Sequence, residues 1–214
     1  HHWEMAGALF RTGKPVYMDK TLAANEAELR RFAVAAGPDY PLLTASSFRF
    51  APLVEKARAE SDRTQIKFVN GVSPCVWVRY APHLLDALFE IFGFDVTMVQ
   101  NSGAERGDIV TLTFRDGLQA VLEVFDGVGL PLGLTIHRAG QLPYPVPYTD
   151  ETLESYFLSI VGMMRAFTAM VESGARGVDW SRTLLLNRVV LAAIASREAG
   201  NRVIRLDNFL SDLK

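Results

Sequence analysis

GKPVYMDKTLAANEAELRRFAVAAG, residues 13–37, is the stretch that decides the fold class. Residues 15–18 form a short apolar run, which is typical of a buried strand. Asn25 predicts the N-terminal cap of a helix, with Glu28 three residues later as its capping-box partner. The apolar residues that follow at helical spacing end at Gly37, where we expect the helix to stop. The stretch therefore predicts a strand followed by a helix.

The flanking segments extend this pattern in both directions. Residues 3–12 predict the end of a helix that Gly13 stops, and the apolar run at 42–45 predicts a second buried strand. Helix, strand, helix and strand in succession are typical of a parallel α/β sheet. We therefore expect residues 1–48 to be the tail of a doubly wound domain.

The order of predicted helices and strands changes after about residue 65. The sequence predicts a helix at 80–92, strands at 97–101, 109–114 and 118–125, further strand-like pieces up to His137, an extended connector at the three prolines of 143–147, helices near 150–173 and 181–199, and a last strand at 203–206. Asp116-Gly117, between two alternating segments, is a strong hairpin signal. Residues 49–214 are therefore expected to form an α+β domain with a mainly antiparallel sheet.

An antiparallel sheet of this kind also predicts a contact with a second copy of the chain. Helices on one side of the sheet leave its other face free, and such a face often becomes a subunit interface. We therefore expect a homodimer or tetramer that forms through the sheet.

Composition narrows the class of protein further. The 214 residues include 22 basic and 24 acidic side chains without a basic cluster, which argues against nucleic acid as the main partner. No apolar run reaches the roughly 18 residues of a membrane helix, and there is no secretory signal. Cys75 is the single cysteine, so we expect neither a disulfide framework nor a metal site, and a reducing, cytoplasmic compartment is the default. The chain opens at His1 without an initiating Met, so we expect it to begin inside a longer protein, or after a cut or a tag.

The first candidate for chemistry is the Asp19-Lys20 pair. In a doubly wound sheet, ligands bind at the carboxyl ends of the strands, and this pair lies at such an end. A lysine there can hold a substrate hydroxyl, and its pKa drops readily on burial, which suits proton transfer. The alternative is a solvated lysine in a surface loop.

The second candidate is His83, expected at the start of a helix. Imidazole can take the proton from an alcohol as a hydride leaves its carbon, while the alternative is a histidine hydrogen-bonded within the fold. Asp86 lies on the same side of the helix and is expected to have a structural role, through a hydrogen bond to backbone or to His83. Arg49 could pair with an acidic substrate group, although an arginine just before a helix is more often a surface contact.

Together, these segments resemble the glucose–fructose oxidoreductase/inositol dehydrogenase/MocA family. In that family an apolar strand after a glycine ends in Glu-Lys-Pro and leads into a helix and another strand, as residues 13–45 do here around Asp19-Lys20-Thr21. PLLTASSFRFAPLVEKAR (41–58) looks like the next strand and the crossover into the second domain. YAPHLLDALFEIFG (80–93) resembles the family's helix with a histidine, two apolar residues and an aspartate. The ending, with VESG, a long apolar helix and ASREAGNRVIRL, also matches, so the resemblance covers nearly the whole chain.

This resemblance implies a Rossmann domain for NAD or NADP, of which residues 1–48 would be the C-terminal remnant. Residues 49–214 would be the substrate-binding and oligomerisation domain. The typical reaction of the family is oxidation of a secondary alcohol on a sugar or cyclitol, or its reverse. Lys20 matches the family's central lysine, Asp19 the glutamate that helps to position it near the nicotinamide, and His83 the substrate-side histidine.

The chain also departs from the family. The aspartate that stands four residues before the histidine in many members is Arg79 here, so the usual lysine–aspartate–histidine triad is incomplete. We expect Arg79, with Arg49, on the substrate side. Thr21 replaces the proline of Glu-Lys-Pro, and the cis peptide that shapes the lysine turn is expected to be lost with it. The phosphate-binding glycines are missing from the chain, so we do not expect NAD or NADP to bind to it alone.

Two functions are consistent with these observations. The leading hypothesis is an NAD(P)-dependent oxidoreductase as the parent protein, in which His83 relays the substrate proton and Lys20 orients the hydroxyl. This chain would be its substrate and oligomerisation part, inactive by itself. The alternative is a non-catalytic sugar-binding or oligomerisation module of the same family, which the missing aspartate and the substituted proline favour.

Overall fold

The computed structural model describes residues 2–129, 131–148, 154–174 and 178–213. Its N-terminal part consists of helix α1 (His2–Ala6), a 3-10 helix (Leu9–Thr12), strand β1 (Val16–Asp19), helix α2 (Glu26–Ala36) and strand β2 (Leu42–Ala45). β1 and β2 pair in parallel, with Val16 opposite Leu42. The predicted order of helix, strand, helix and strand and the parallel pairing are therefore confirmed.

The start of α2 is formed as the sequence predicts, with one difference. The Asn25 side chain accepts a hydrogen bond from the Glu28 N–H at 2.9 Å, which confirms the cap. The Glu28 carboxylate does not return to Asn25 but accepts from the N–H groups of Ala24 at 3.0 Å and Trp3 at 2.9 Å. Glu28 therefore joins α1 to α2 and closes the cap one residue earlier than a standard capping box.

The rest of the described chain forms a seven-stranded sheet with helices packed on it. The elements are a 3-10 helix (Ser47–Phe50), α3 (Pro52–Glu60), a 3-10 helix (Arg63–Gln65), β3 (Ile66–Pro74), α4 (Trp77–Phe92), β4 (Val96–Asn101), β5 (Asp108–Phe114), β6 (Gln119–Phe125), β7 (Gly133–Arg138), β8 (Tyr144–Pro147), α5 (Glu154–Ser173), α6 (Trp180–Glu198) and β9 (Ile204–Arg205). The strand order is β8-β7-β3-β6-β5-β4-β9, antiparallel throughout except for the parallel pair β3 and β6. The predicted hairpin is confirmed, with Gly117 at φ 89° between β5 and β6.

Strand β3 lies in the interior of the sheet, between β7 and β6, yet the sequence analysis does not predict it. Two of its buried positions are occupied by Gly71 and Ser73, so the strand lacks the apolar alternation that marks a buried strand in sequence. A Cβ on Gly71 would lie only 2.7 Å from the side chain of Leu122 on the neighbouring strand. Close packing therefore requires a glycine where the sequence pattern favours a loop.

Two further predictions about element bounds are wrong. The proline segment is not an unpaired connector, because Tyr144–Pro147 forms edge strand β8 against β7, where a proline can be accommodated without a ladder N–H. Helix α4 begins at Trp77 rather than at Tyr80 and contains Pro82 in its interior. A proline usually marks the first turn of a helix, and this placed the predicted start too late.

The two faces of the sheet differ in burial. Helices α4 and α6 cover one face, where Leu112 and Leu122 are fully buried. On the other face Val121 is half-buried, and Phe68 is 40% exposed and stacks on His137 with ring centroids 4.1 Å apart. The open face that the sequence predicts is therefore present. Within the described ranges, no helix has both the length and the apolar character needed to cross a bilayer.

Candidate active site

The lysine turn directly follows β1. Lys20 Nζ lies 3.1 Å from Asp19 Oδ2, and the Lys20 side chain is only 16% exposed. The peptide bond between Lys20 and Thr21 is cis, so the expectation that threonine in place of proline removes the cis peptide is wrong. Thr21 is buried and its hydroxyl is bound to α4, so contacts from the rest of the fold hold the turn without a proline ring.

Thr21 connects this turn to the helix that carries His83. Its Oγ1 donates a hydrogen bond to the carbonyl oxygen of Val78 at 2.5 Å. In a regular α-helix that carbonyl accepts from the N–H four residues later, which here belongs to Pro82, and proline has no N–H. The proline therefore leaves free the carbonyl that Thr21 uses.

His83 lies within α4, beyond its first turn, and faces the end of β2. Its Nδ1 is 2.6 Å from Ser46 Oγ. Burial, followed by the positive charge of Lys20, lowers the pKa of His83 to about 3, and the negative charge of Asp19 opposes this shift. The imidazole is therefore neutral at neutral pH.

A buried network of charges lies beside His83 on α4. The Asp86 carboxylate accepts from the Ser46 N–H at 2.6 Å and from Arg182 Nη2 at 2.9 Å. Arg182 also donates to Glu90 Oε2 at 2.8 Å. The structural role expected for Asp86, with a hydrogen bond to backbone, is confirmed. Since Asp86 holds the backbone of Ser46 and Ser46 contacts His83, the network fixes the surroundings of the imidazole.

The two arginines expected on the substrate side lie in different places. Arg79 is exposed near the start of α4 and lines a cavity of about 280 Å³ together with Asp19 and Lys20. Arg49 Nε pairs with Glu90 Oε2 at 2.9 Å and borders a different cavity, of about 230 Å³. The structure therefore brings Arg79, but not Arg49, to the lysine turn.

Tyr148, which the sequence analysis does not single out, lies beside His83, and Tyr17 lies on β1. The hydroxyls of Tyr148 and Ser47 are hydrogen-bonded, and the Tyr148 ring centroid is 5.6 Å from that of His83. Burial, followed by the charge of Asp19, raises the pKa of Tyr17 to about 12, and burial also raises the pKa of Tyr148. Both phenols therefore keep their protons and can donate hydrogen bonds. Tyr148 stands 101 residues after Ser47, so no local spacing could have indicated this contact.

The cavity beside Lys20 fits only part of a dinucleotide. Asp19 and Lys20 lie at the carboxyl end of β1, the edge at which ligands bind in open α/β sheets. A volume of about 280 Å³ is at the small end of ligand pockets and is too small for the whole molecule. His83 is outside the wall of this cavity. Among the residues that the structure describes, no group of three His, Cys, Asp or Glu side chains could hold a metal ion.

Several solved structures that share this fold are dehydrogenases. A probable dehydrogenase from Thermotoga maritima matches with a TM-score of 0.78 at 19% identity, over 96% of this chain and 78% of that chain. A myo-inositol dehydrogenase from Corynebacterium glutamicum matches with a TM-score of 0.77 at 14% identity, over 96% of this chain and 77% of that one. The myo-inositol dehydrogenase from Lactobacillus casei, in complex with NAD(H) and myo-inositol, matches with a TM-score of 0.74 at 11% identity, over 96% and 74%. No protein-family model and no curated protein matches the sequence. The chain therefore has the fold of these dehydrogenases, and the expected fold class is confirmed.

Proposed function

We propose that this chain is part of an NAD- or NADP-dependent oxidoreductase of the glucose–fructose oxidoreductase/inositol dehydrogenase/MocA family. The whole protein would transfer a hydride between the cofactor and a secondary alcohol of a sugar or cyclitol. The observation that carries the proposal is the hydrogen bond from Thr21, beside Lys20, to the carbonyl oxygen of Val78, near the start of the helix that bears His83. The fold shared with inositol dehydrogenases supports it.

The side chains around the lysine turn would have different roles in this reaction. A nicotinamide bound beside Asp19 and Lys20 would exchange the hydride with the substrate carbon. Lys20 Nζ would donate a hydrogen bond to the reacting oxygen, with Asp19 orienting the ammonium group at 3.1 Å. His83 would contact the same oxygen from α4. Arg79, on the wall of the cavity beside Lys20, would bind a hydroxyl or an acidic group of the substrate.

In this proposal residues 1–48 are the C-terminal remnant of a Rossmann domain, and residues 49–214 bind substrate and build the oligomer. The two parallel strands β1 and β2 are fewer than a stable parallel sheet needs, which supports their being part of a larger one. Arg49 is already paired with Glu90, so its proposed place is in the ion-pair network rather than against the substrate.

Calorimetric titration with NAD and with NADP tests the proposal. The full product of the gene is expected to bind one of them. The 214 residues alone are expected to bind neither measurably, because their sequence contains no glycine-rich loop that leads into a helix N-terminus to hold the phosphates. Failure of the full product to bind either cofactor would rule out the oxidoreductase, and micromolar binding to the 214 residues would contradict the division into domains.

A second candidate function is a non-catalytic sugar-binding or oligomerisation module. Arg79 favours it, because the position that carries a carboxylate in many family members has the opposite charge here. The two functions differ in turnover on a broad panel of polyols. A cofactor-binding parent without turnover would support the module, whereas robust turnover would exclude it.

We also propose that the open face of the sheet joins two copies of the chain. The support is the stack of Phe68, 40% exposed, on His137, on strands that helices cover on one side only.

A further inference from the structure

The contact between His83 and Ser46 determines which ring nitrogen carries the hydrogen. Ser46 Oγ already accepts a hydrogen bond from the Phe48 N–H at 3.1 Å, as the cap of the 3-10 helix that follows β2. The second contact of this oxygen is with His83 Nδ1, at 2.6 Å. A hydroxyl has one hydrogen to donate and can accept two, so Ser46 could in principle be the donor or the acceptor toward the ring.

Burial of Ser46 decides between these arrangements. The residue is 1% exposed, so its hydroxyl hydrogen needs a partner within the protein. Among the described residues the acceptor found for that hydrogen is His83 Nδ1. If the ring donated instead, the hydroxyl hydrogen would stay buried without an acceptor. Donation from Ser46 to Nδ1 satisfies both groups, and it requires Nδ1 to be free of hydrogen.

The other ring nitrogen then carries the hydrogen. Nε2 has no hydrogen-bond partner within residues 2–129, 131–148, 154–174 and 178–213. Nε2 is also not fully buried within these ranges. An N–H without a protein acceptor that is not fully buried can donate to a ligand that reaches it.

We propose that Ser46 holds His83 as the neutral tautomer with hydrogen on Nε2, so that His83 offers the substrate a hydrogen-bond donor and not a base. The identity of the group that accepts a hydrogen bond from this N–H rests on the proposed function, whereas the tautomer itself does not. An N–H needs an acceptor, and a carbonyl oxygen only accepts, whereas a hydroxyl must also donate. With the positive charge of Lys20 nearby, the site is suited to a keto sugar or cyclic ketone, whose oxygen gains negative charge during reduction.

The test is long-range nitrogen–proton NMR of the ¹⁵N-labelled 214-residue chain at neutral pH. The His83 signals are identified by their loss in His83→Gln. We expect a neutral ring with hydrogen on Nε2. A ring with hydrogen on Nδ1, or one protonated on both nitrogens, would overturn the inference.

Two matched variants then test the part played by Ser46. Ser46→Ala removes the donor to Nδ1, and the single tautomer is expected to give way to an exchange average of both. Ser47→Ala removes the neighbouring hydroxyl, which contacts Tyr148 instead, and should leave the His83 signals unchanged. Unchanged signals in Ser46→Ala would show that Ser46 does not position the ring. A protein that binds no nicotinamide but shows the predicted tautomer would refute the proposed function and leave this assignment intact.

Discussion

The hydroxyl of Thr21 donates to the carbonyl oxygen of Val78 at 2.5 Å, across the junction between the lysine turn and α4. The carbonyl is available because Pro82 lacks the N–H that would otherwise bind it. Lys20 precedes Thr21 in the turn, and His83 follows Pro82 in the helix. One hydrogen bond therefore fixes the two segments that carry the candidate catalytic side chains relative to each other.

A double-mutant cycle tests this relationship. Thr21→Val keeps the shape of the side chain but leaves the Val78 carbonyl without a partner, so it should lower the free energy of unfolding by about 1–2 kcal/mol in urea denaturation. In a Pro82→Ala background the restored N–H can bind the carbonyl, and Thr21→Val should then cost about 1 kcal/mol less. Strictly additive effects would show that the proline and the threonine are not coupled.

Replacement of the buried arginine on α6 is expected to destabilise the fold far more than replacement of an exposed arginine that pairs with the same carboxylate. Arg182, whose side chain is 7% exposed, and Arg58, 54% exposed, both pair with Glu90. Arg182→Met leaves the buried Asp86 without its cation, although Glu90 keeps Arg49 and Arg58, and should destabilise the fold by about 3–5 kcal/mol in urea denaturation. Arg58→Met is the control and should cost less than about 1 kcal/mol. Similar losses for the two variants would contradict the network.

The low pKa of His83 makes the stability of the fold depend on pH. Its pKa is about 3 in the folded protein against an ordinary 6.5, so the unfolded chain binds the proton first as the pH falls. The neutral ring makes its full contribution to the free energy of unfolding above about pH 6.5. This contribution is lost as the pH falls toward 3, at no more than about 1.4 kcal/mol per pH unit. His83→Gln cannot titrate, so its stability should fall less steeply than that of the unsubstituted protein between about pH 6 and pH 4. Parallel pH profiles would mean that the ring is not held neutral.

The open sheet face gives a prediction about the oligomeric state. Light scattering is expected to show a dimer, and Phe68→Glu should convert it to a monomer, because it places a charge in an apolar contact. Val34→Glu is the control, since Val34 is 88% exposed on α2, outside the sheet. A monomer of the unsubstituted chain at high concentration would refute the interface.

Features with a strong local signal could be predicted from the sequence. The Asn25 cap, the strand at Leu42–Ala45 and the hairpin at Asp116-Gly117 each depend on residues that are close together in the chain. The first two of these signals, together with the apolar run of β1, also predict the order of elements at the start of the chain. The carboxyl end of β1 was therefore located correctly as the place of Lys20.

Features that depend on distant partners could not be predicted. The lysine turn keeps its shape through the contact between Thr21 and Val78, which are 57 residues apart. Arg49 was interpreted from its neighbours in sequence, whereas its partner Glu90 comes from another helix. Similarly, Gly71 is needed in strand β3 because the side chain of Leu122 on the neighbouring strand leaves no room for a Cβ. The residues next to Gly71 in sequence do not indicate that contact.

The action of Lys20 on the reacting oxygen can be measured through the rate of nicotinamide turnover of the full gene product on a panel of sugars, cyclitols and their ketones. We expect Lys20→Met to lower this rate by about 100-fold or more while the cofactor still binds. Lys14→Met, which changes an exposed lysine just before β1, should leave the rate unchanged. Equal rates for Lys20→Met and the unsubstituted protein would show that Lys20 has no part in the reaction.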